Sequence, residues 1–245
     1  MTEAPGFWRR LRRALLWLAT GVVAASVVSV AVMRWAAPLS SAFIVSSYLE
    51  AWRDRDFRYR ADYRWTPYAQ ISRHAKLAVI ASEDQKFAFH PGFDFEAIDQ
   101  ALAARERGKR LRGASTISQQ VAKNLFLWPG HSFVRKGLEA WFTVLIETLW
   151  PKERILEMYL NIAQFGNGIY GVQAAAERFW HKPALRLSSG EAALLAAVLP
   201  NPLRLHAERP SRYVLLRRDW ILGQMSDLGG AAYLRALESE RRGAH

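Results

Sequence analysis

The sequence predicts a mostly α-helical domain behind a single N-terminal membrane helix. Three observations carry that prediction. The segment ALLWLATGVVAASVVSVAVM, Ala14 to Met33, holds no charge over 20 residues. From Ser72 onward, apolar residues recur at three- and four-residue spacing between recognisable cap and breaker residues. No alternating run of four to eight residues bounded by turns stands out as a strand.

The first element is the apolar segment. A helix rising about 1.5 Å per residue needs about 20 apolar residues to cross about 30 Å of hydrocarbon. Cleaved signal peptides usually have an apolar core of only about 7–15 residues, which favours an uncleaved anchor, although AAPLSSA after it keeps cleavage open. Arg9, Arg10, Arg12 and Arg13 flank it on the N-terminal side and predict a cytoplasmic N-terminus. Residues 35–70 read as a membrane-proximal transition region. There Trp52, Phe57, Tyr59, Tyr63 and Trp65 alternate with Arg53, Arg55, Arg58, Arg60 and Arg64, a mixture suited either to a solvated surface or to a lipid headgroup layer.

The helical elements follow in order. RHAKLAVIASEDQKF is periodic, and DFEAIDQALAARERGKR is amphipathic and stops near Gly108. STISQQVAKNLF follows a Gly113-Ala114 approach loop, with Ser115 or Thr116 as N-cap. HSFVRKGLEAWFTVLIETLW ends before Pro151, and PKERILEMYLNIAQF runs from that proline to Gly166. IYGVQAAAERFW comes next, then SSGEAALLAAVL, which opens with a Ser188–Glu191 capping box and closes at Pro200.

Composition limits the function. Half of the 245 residues are hydrophobic, enough for a sizeable core, and the absence of Cys excludes disulfides, thiolate metal sites and Cys nucleophiles. The net charge of +12 points to an anionic partner. A domain beyond the membrane makes nucleic acid a poor one. No Walker loop, dinucleotide glycine motif, HExxH or Ser-x-x-Lys occurs. What remains is a set of carboxylates, amides and cations: Glu83 and Asp84; Glu139 and Glu147; Lys123, Arg135 and Lys136; Gln119, Gln120 and Asn124. A carboxylate can take a proton from an attacking hydroxyl. Lys and Arg can stabilise charge on a departing pyrophosphate, and a second carboxylate can orient a cation or hold Mg²⁺. The same pair of carboxylates would also describe a glycosidase.

The order of these residues is more specific than their chemistry. EDQKFAFHPGFD resembles the first motif of the family 51 glycosyltransferases, the peptidoglycan polymerases, and GASTISQQVAKNLFL resembles the second. RKGLEAWFTVLIE, KERILEMYLNIAQFGNGIYGVQAAAERFW and LSSGEAALLAAVLPNP are similar to the third, fourth and fifth, all in order from Glu83 to Pro202. The match is to the monofunctional branch, since a transpeptidase domain would need Ser-x-x-Lys. Departures are small: GAST stands for the commoner GGST, and Trp180 stands where Phe is usual.

The resemblance implies a lysozyme-like helical domain with a smaller, membrane-facing jaw lobe. It implies polymerisation of lipid II onto a nascent glycan strand in β-1,4 linkage, with inversion and release of undecaprenyl pyrophosphate. Glu83 would be the general base and Glu139 the second catalytic carboxylate. Asp84, Ser115, Thr116, Gln119, Gln120, Lys123, Asn124, Arg135 and Lys136 would contact substrate. Phe87 and His90 would support the loop, and the two Phe residues Phe87 and Phe89 would limit the solvation of Glu83. Glu147 is a rival second carboxylate or a charge closing its helix on a Lys or Arg. Glu157, Tyr159, Asn161, Gly166 and Gly171 would be scaffold. No cofactor is required, though a divalent cation on Glu139 stays possible. The expected division is a cytoplasmic basic segment (1–13), an inner-membrane anchor (14–34), a jaw region (35–70) and a periplasmic glycosyltransferase domain (71–245). Inner-membrane lipids, and wall-synthesis proteins of division or elongation, would be its neighbours. The alternatives are a peptidoglycan-cleaving enzyme, which needs no phosphate-binding cations, and a membrane-anchored scaffold.

Overall fold

The computed structural model describes residues 5–107, 115–130 and 132–239. The notional approach loop at Gly113-Ala114 lies outside them. Helix α1 (Pro5–Met33) begins upstream of the predicted anchor and runs through the Arg cluster, because Pro5 suits the first helical position and no second proline interrupts it. Phe7–Met33 is apolar and long enough to cross a membrane, and Leu15, Leu16, Trp17 and Val22 stand uncovered by protein. The chain thus carries one helix that fits a single-pass anchor.

Only the last turns of α1 are covered. They pack on α6 (Phe133–Leu149) and the start of α7 (Lys152–Ile162). Trp141 Nε1 donates to Ser26 Oγ at 3.1 Å, and Trp150 Nε1 donates to the Val30 carbonyl at 2.7 Å. Arg34 donates to the Leu149 carbonyl. Arg154 of α7 donates twice to the Met33 carbonyl, at 3.0 and 2.7 Å, and once to that of Ala36. An arginine therefore satisfies carbonyls that the end of the anchor helix would leave orphaned.

The transition region contains an unforeseen helix, α2 (Ala42–Arg53), capped by Ser41. It packs Ile44 inward and lies against α5 (Ile117–Phe126). Helix α3 (Arg73–Glu83), capped by Ser72, is buried from Ala75 to Ala81. It is the central helix, packed on α9 (Ser189–Val198), α10 (Arg212–Asp227) and α11 (Ala231–Ser239). Helices α4 (Phe95–Glu106) and α8 (Val172–Trp180) complete the set.

The fold is mostly α-helical as expected, with a small sheet of which the sequence shows no sign. β1 (Asp62–Tyr63) pairs parallel with β3 (Ile169–Tyr170), which pairs antiparallel with β2 (Gln164–Gly166). Helix α7 therefore ends at Ile162, not Gly166, since Ala163 turns to extended backbone. Strands of two or three residues are too short to show alternation. At the far end of β3, Gly171 holds a φ of +86°, and a Cβ there would lie 2.5 Å from the Asn161 carbonyl oxygen. Only glycine tolerates both the positive φ and that approach.

Helix α7 ties this sheet region to the core through one polar row. Asn161 Oδ1 accepts from the Thr66 N–H at 2.7 Å, and Asn161 Nδ2 donates to the Thr66 carbonyl at 2.9 Å, as a strand neighbour would. Glu157 accepts from the Tyr68 N–H at 2.7 Å and from Arg154 Nη1 at 2.6 Å. Residues 154, 157 and 161 recur at helical spacing, so one face of α7 holds the chain between the anchor and α3.

Candidate active site

Glu83 is the last residue of α3 and borders an open cleft of about 370 Å³ that Asp84, Asp94, Glu96, Ser115 and Thr116 also line. Gln120 of α5 donates Nε2 to Glu83 Oε2 at 3.0 Å. The fully buried Tyr159 donates its hydroxyl to Gln120 Oε1 at 3.3 Å. Burial pushes that phenol far above its ordinary pKa, so the proton stays on it. The Tyr159 hydroxyl then fixes which end of the Gln120 amide faces the carboxylate. From the opposite side, Arg217 Nη2 of α10 approaches Glu83 Oε1 at 3.8 Å.

Burial raises the Glu83 pKa above its ordinary value of 4.5, against the lowering effects of the Gln120 hydrogen bond and of the Arg217 and Lys123 charges. Desolvation dominates because the carboxylate is wedged between two helices. The two Phe residues do not fence it as expected. Phe87 is wholly buried beneath the loop, with the Lys152 ammonium 4.7 Å from its ring centroid. Phe89 is 74% exposed and meets Tyr233 edge-on. The turn formed when Phe87 N–H bonds to the Asp84 carbonyl sends these rings away from the cleft.

Asp84 is spent on structure. Its Oδ1 meets His90 Nε2 at 2.8 Å, and its Oδ2 accepts from the Ile117 N–H at 2.9 Å. The Gly92 N–H reaches His90 Nδ1 at 3.1 Å. A backbone N–H can only donate, so Nδ1 is the acceptor and Nε2 carries the proton given to Asp84. One carboxylate thus joins the end of α3, the His90 loop and the start of α5, where the helix dipole favours negative charge.

Thr116 and Gln119 form a capping box. Thr116 Oγ1 accepts from the Gln119 N–H at 3.2 Å, and Gln119 Oε1 accepts from the Thr116 N–H at 3.0 Å. Thr116 Oγ1 also donates to the Gly92 carbonyl at 2.6 Å. Both side chains are buried and matched to each other, so Ser115 is the exposed hydroxyl of the motif at the cleft.

The Lys123 ammonium, one turn beyond Gln119, makes no hydrogen bond among the described residues and stands 5.6 Å from the ring centroid of Phe43 in α2. Burial lowers its pKa, while Glu139 and Glu83 pull it upward and Arg135 and Lys136 push it down. It therefore feels both candidate carboxylates at once. Asn124 Oδ1 and Arg135 Nε are buried with no hydrogen-bond partner among the described residues, as is Arg217 Nε.

Glu139 is 3% exposed. Its Oε2 accepts from Arg135 Nη1 at 2.9 Å, and its Oε1 pairs with Lys136. A divalent cation needs several free oxygen ligands. No group of three or more His, Cys, Asp or Glu converges among the described residues, and both Glu139 oxygens are already held by cations. This donor set does not fit a resident metal. Glu147 accepts from Ser118 Oγ and from Lys152 Nζ, the latter at 2.9 Å, while Lys152 also donates to the His90 carbonyl at 2.6 Å. Glu147 therefore belongs to the packing beneath the loop, and Glu139 is the carboxylate grouped with the α5 and α6 cations.

The transglycosylase family model matches residues 53–226. The chain belongs to the transglycosylase family. Among its relatives is the biosynthetic peptidoglycan transglycosylase of Xanthomonas euvesicatoria pv. vesicatoria (strain 85-10), 54% identical over 230 residues and covering 93% of each chain. The protein of that name from Pseudomonas entomophila (strain L48) is 54% identical over 235 residues, covering 96% of this chain and 97% of its own. That of Xylella fastidiosa (strain 9a5c) is 54% identical over 228 residues, covering 93% and 92%.

One residue beside Glu83 in this transglycosylase-family chain, Arg217, was missed by sequence reasoning. Arg217 lies 15 residues past the last motif residue, Pro202, in an Arg-rich helix with no motif of its own. Its one sequence signal is helical spacing: Arg217 and Gln224 are seven apart, and Gln224 Oε1 accepts from Gln85 at 2.7 Å.

Proposed function

We propose that this transglycosylase is a peptidoglycan glycosyltransferase that polymerises lipid II. The observation that carries the reading is the pairing of a desolvated carboxylate, Glu83, with an unpartnered ammonium, Lys123, that feels both Glu83 and Glu139. A raised carboxylate pKa suits a general base working near neutral pH. Glu83 takes the proton of the lipid II 4-hydroxyl as that oxygen attacks the anomeric carbon at the end of the growing strand. The bond from that carbon to the pyrophosphate oxygen breaks with inversion, and undecaprenyl pyrophosphate departs with the electron pair. Lys123, with Arg135 and Lys136 held by Glu139, offsets the charge growing on the leaving group. Asp84, Thr116 and Gln119 hold the frame, while Ser115, Gln120 and Asn124 contact the sugar and phosphate.

The anchor at 14–34 would place the glycosyltransferase domain in the periplasm of the inner membrane, with the basic residues 1–13 in the cytoplasm. The mixed aromatic and basic residues of 35–70 support a membrane-facing jaw, and wall-synthesis proteins of division or elongation are fitting neighbours there.

The test is incubation of the detergent-solubilised full chain with labelled lipid II, with Glu83→Gln in parallel. A lysozyme-sensitive glycan ladder from the wild type, absent with Glu83→Gln, is expected. Solubilisation of purified sacculi without polymer would make the protein a cleaving enzyme, and neither activity would leave a scaffold.

A further inference from the structure

Helix α10 presents three kinds of residue on three strips. At about 100° per residue, the buried Val214, Ile221 and Met225 lie about 40–80° to one side of Arg217. Arg217 and Gln224 form the middle strip, the one that reaches Glu83 and Gln85. Tyr213, Leu216 and Trp220 lie about 40–100° to the other side, and they are 55%, 61% and 48% exposed. An exposed apolar strip with two aromatic rings thus lies beside Arg217, one residue out from the Glu83 carboxylate. The Arg217 guanidinium carbon stands 5.9 Å from the Trp220 ring centroid, so the residue that faces Glu83 also steadies that ring.

The position of the strip selects its occupant. Glu83 is flanked by α5 on one side and α10 on the other. Helix α5 packs on α6, and α6 packs on the anchor helix α1. The α5–α6 flank is therefore the lipid-proximal one, and it carries Lys123, Arg135, Lys136 and Glu139. Helix α10 packs on α3 and α9 and bears Arg212, Arg217, Arg218 and Asp219, which does not suit immersion in hydrocarbon. A lipid-linked sugar polymer crossing Glu83 has its pyrophosphate on the first flank and its sugars on the second. Pyranose rings present an apolar face of C–H bonds and a polar edge, which an indole face beside an arginine complements.

We propose that Tyr213, Leu216 and above all Trp220 form a strand-holding subsite for the pyranose rings of the glycan, outside the catalytic cleft. The inference rests on the polymerase reading for the identity of the strand, but its test does not. The full chain in detergent, carrying Glu83→Gln to prevent turnover, is titrated calorimetrically with lipid-free peptidoglycan oligosaccharides of four to six sugars. Trp220→Ala should weaken binding about three- to tenfold, the range of one lost aromatic stack. Trp220→Phe should recover most of that loss, and Trp128→Ala, at an exposed tryptophan elsewhere, should cost nothing. In chains with Glu83 intact, Trp220→Ala should shorten the glycan products.

Equal affinity in Trp220→Ala with an unchanged Tm overturns the subsite. If Trp220→Ala does not fold, Trp220→Leu and Trp220→Phe decide, because both fill the volume and only one is aromatic; equal binding by the two overturns it. A wild type that binds oligosaccharide through Trp220 but makes no polymer would sink the polymerase reading and leave the subsite standing. A wild type that polymerises and ignores Trp220 would do the reverse. Transfer of the Trp220 effect from oligosaccharide to binding of anionic vesicles would make the strip a membrane contact and refute the sugar assignment.

Discussion

Asp84→Ala tests whether the acid beside the proposed base acts through the fold. The side chain is 3% exposed and accepts two hydrogen bonds, from His90 Nε2 at 2.8 Å and from the Ile117 N–H at 2.9 Å. Hydrogen bonds to a charged group contribute about 1.5–3 kcal/mol each. Truncation loses both and leaves two buried donors unmatched, so a total of about 3–5 kcal/mol is expected. For a domain of this size, 1 kcal/mol moves Tm by about 2–4 °C, which gives a fall of about 6–20 °C.

Asp84→Asn should cost less, about 2 kcal/mol, because its amide oxygen still accepts from one donor while its NH₂ opposes the other. The assay is thermal unfolding of the full chain in detergent, followed by circular dichroism. His90→Ala should be strongly non-additive with Asp84→Ala, since the two remove one shared bond. A Tm for Asp84→Ala within about 2 °C of wild type, with polymerisation lost, would refute the structural assignment and return Asp84 to the chemistry.

Three further outcomes are expected. Because the Glu83 pKa is raised in the folded chain, the folded state binds more protons than the unfolded one between the ordinary carboxylate value and the raised one. Glu83 therefore contributes stability at low pH that is lost as pH rises through its folded pKa. Glu83→Gln should accordingly raise Tm at pH 7–8 and lose that advantage near pH 4, and the polymerisation rate should rise with pH through an inflection above 4.5; an inflection at or below 4.5 would contradict the desolvated base. Lys123→Ala should weaken binding of a pyrophosphate-bearing lipid II analogue by at least about tenfold, equivalent to about 1.4 kcal/mol, and unchanged affinity would remove its phosphate role. Gly171→Ala meets the Asn161 carbonyl oxygen at 2.5 Å with a φ of +86°. It should destabilise by about 2–4 kcal/mol, and wild-type stability in chemical denaturation would show that the turn can relax.

The parts of the fold legible in the sequence are those governed by neighbours along the chain. The capping boxes at Thr116 and Ser188, and the breaker at Pro151, are local chemistry, and α5, α9 and α6 begin or end as they dictate. The sheet was not legible, because β2 and β3 are shorter than any alternation and are defined by Gly168 and Gly171 at positive φ. Helix α2 was hidden by its composition: its outward Val45, Leu49 and Trp52 blur the contrast between faces. In the site, the motif block brought Glu83, Gln120, Lys123 and Glu139 to one region, yet it could not say that Thr116, Gln119 and Asp84 are occupied by one another and by backbone. Nor could it supply Arg217, because that residue reaches Glu83 from α10, beyond the last motif.

The anchor completes the spatial logic. Ser26 and Val30 of α1 are bonded to Trp141 of α6 and to Trp150 at its C-terminal end, and Arg34 to the carbonyl of Leu149. Eight residues of each helix separate the first and last of these contacts, or about 12 Å of rise along both, so the two helices run side by side in the same direction. Helix α6 therefore points its N-terminal turn back along the anchor, toward the membrane, and that turn carries Arg135, Lys136 and, one turn on, Glu139. With Arg154 clamping the Met33 and Ala36 carbonyls, the position of these cations along the anchor helix is set by packing and not by a flexible tether. A substrate confined to the bilayer brings its pyrophosphate to one fixed depth. Under the proposed function, an anchor packed in this way would hold the cations at a set place for a substrate confined to the bilayer, replacing a three-dimensional search with a lateral one, and the polymer would leave over α10.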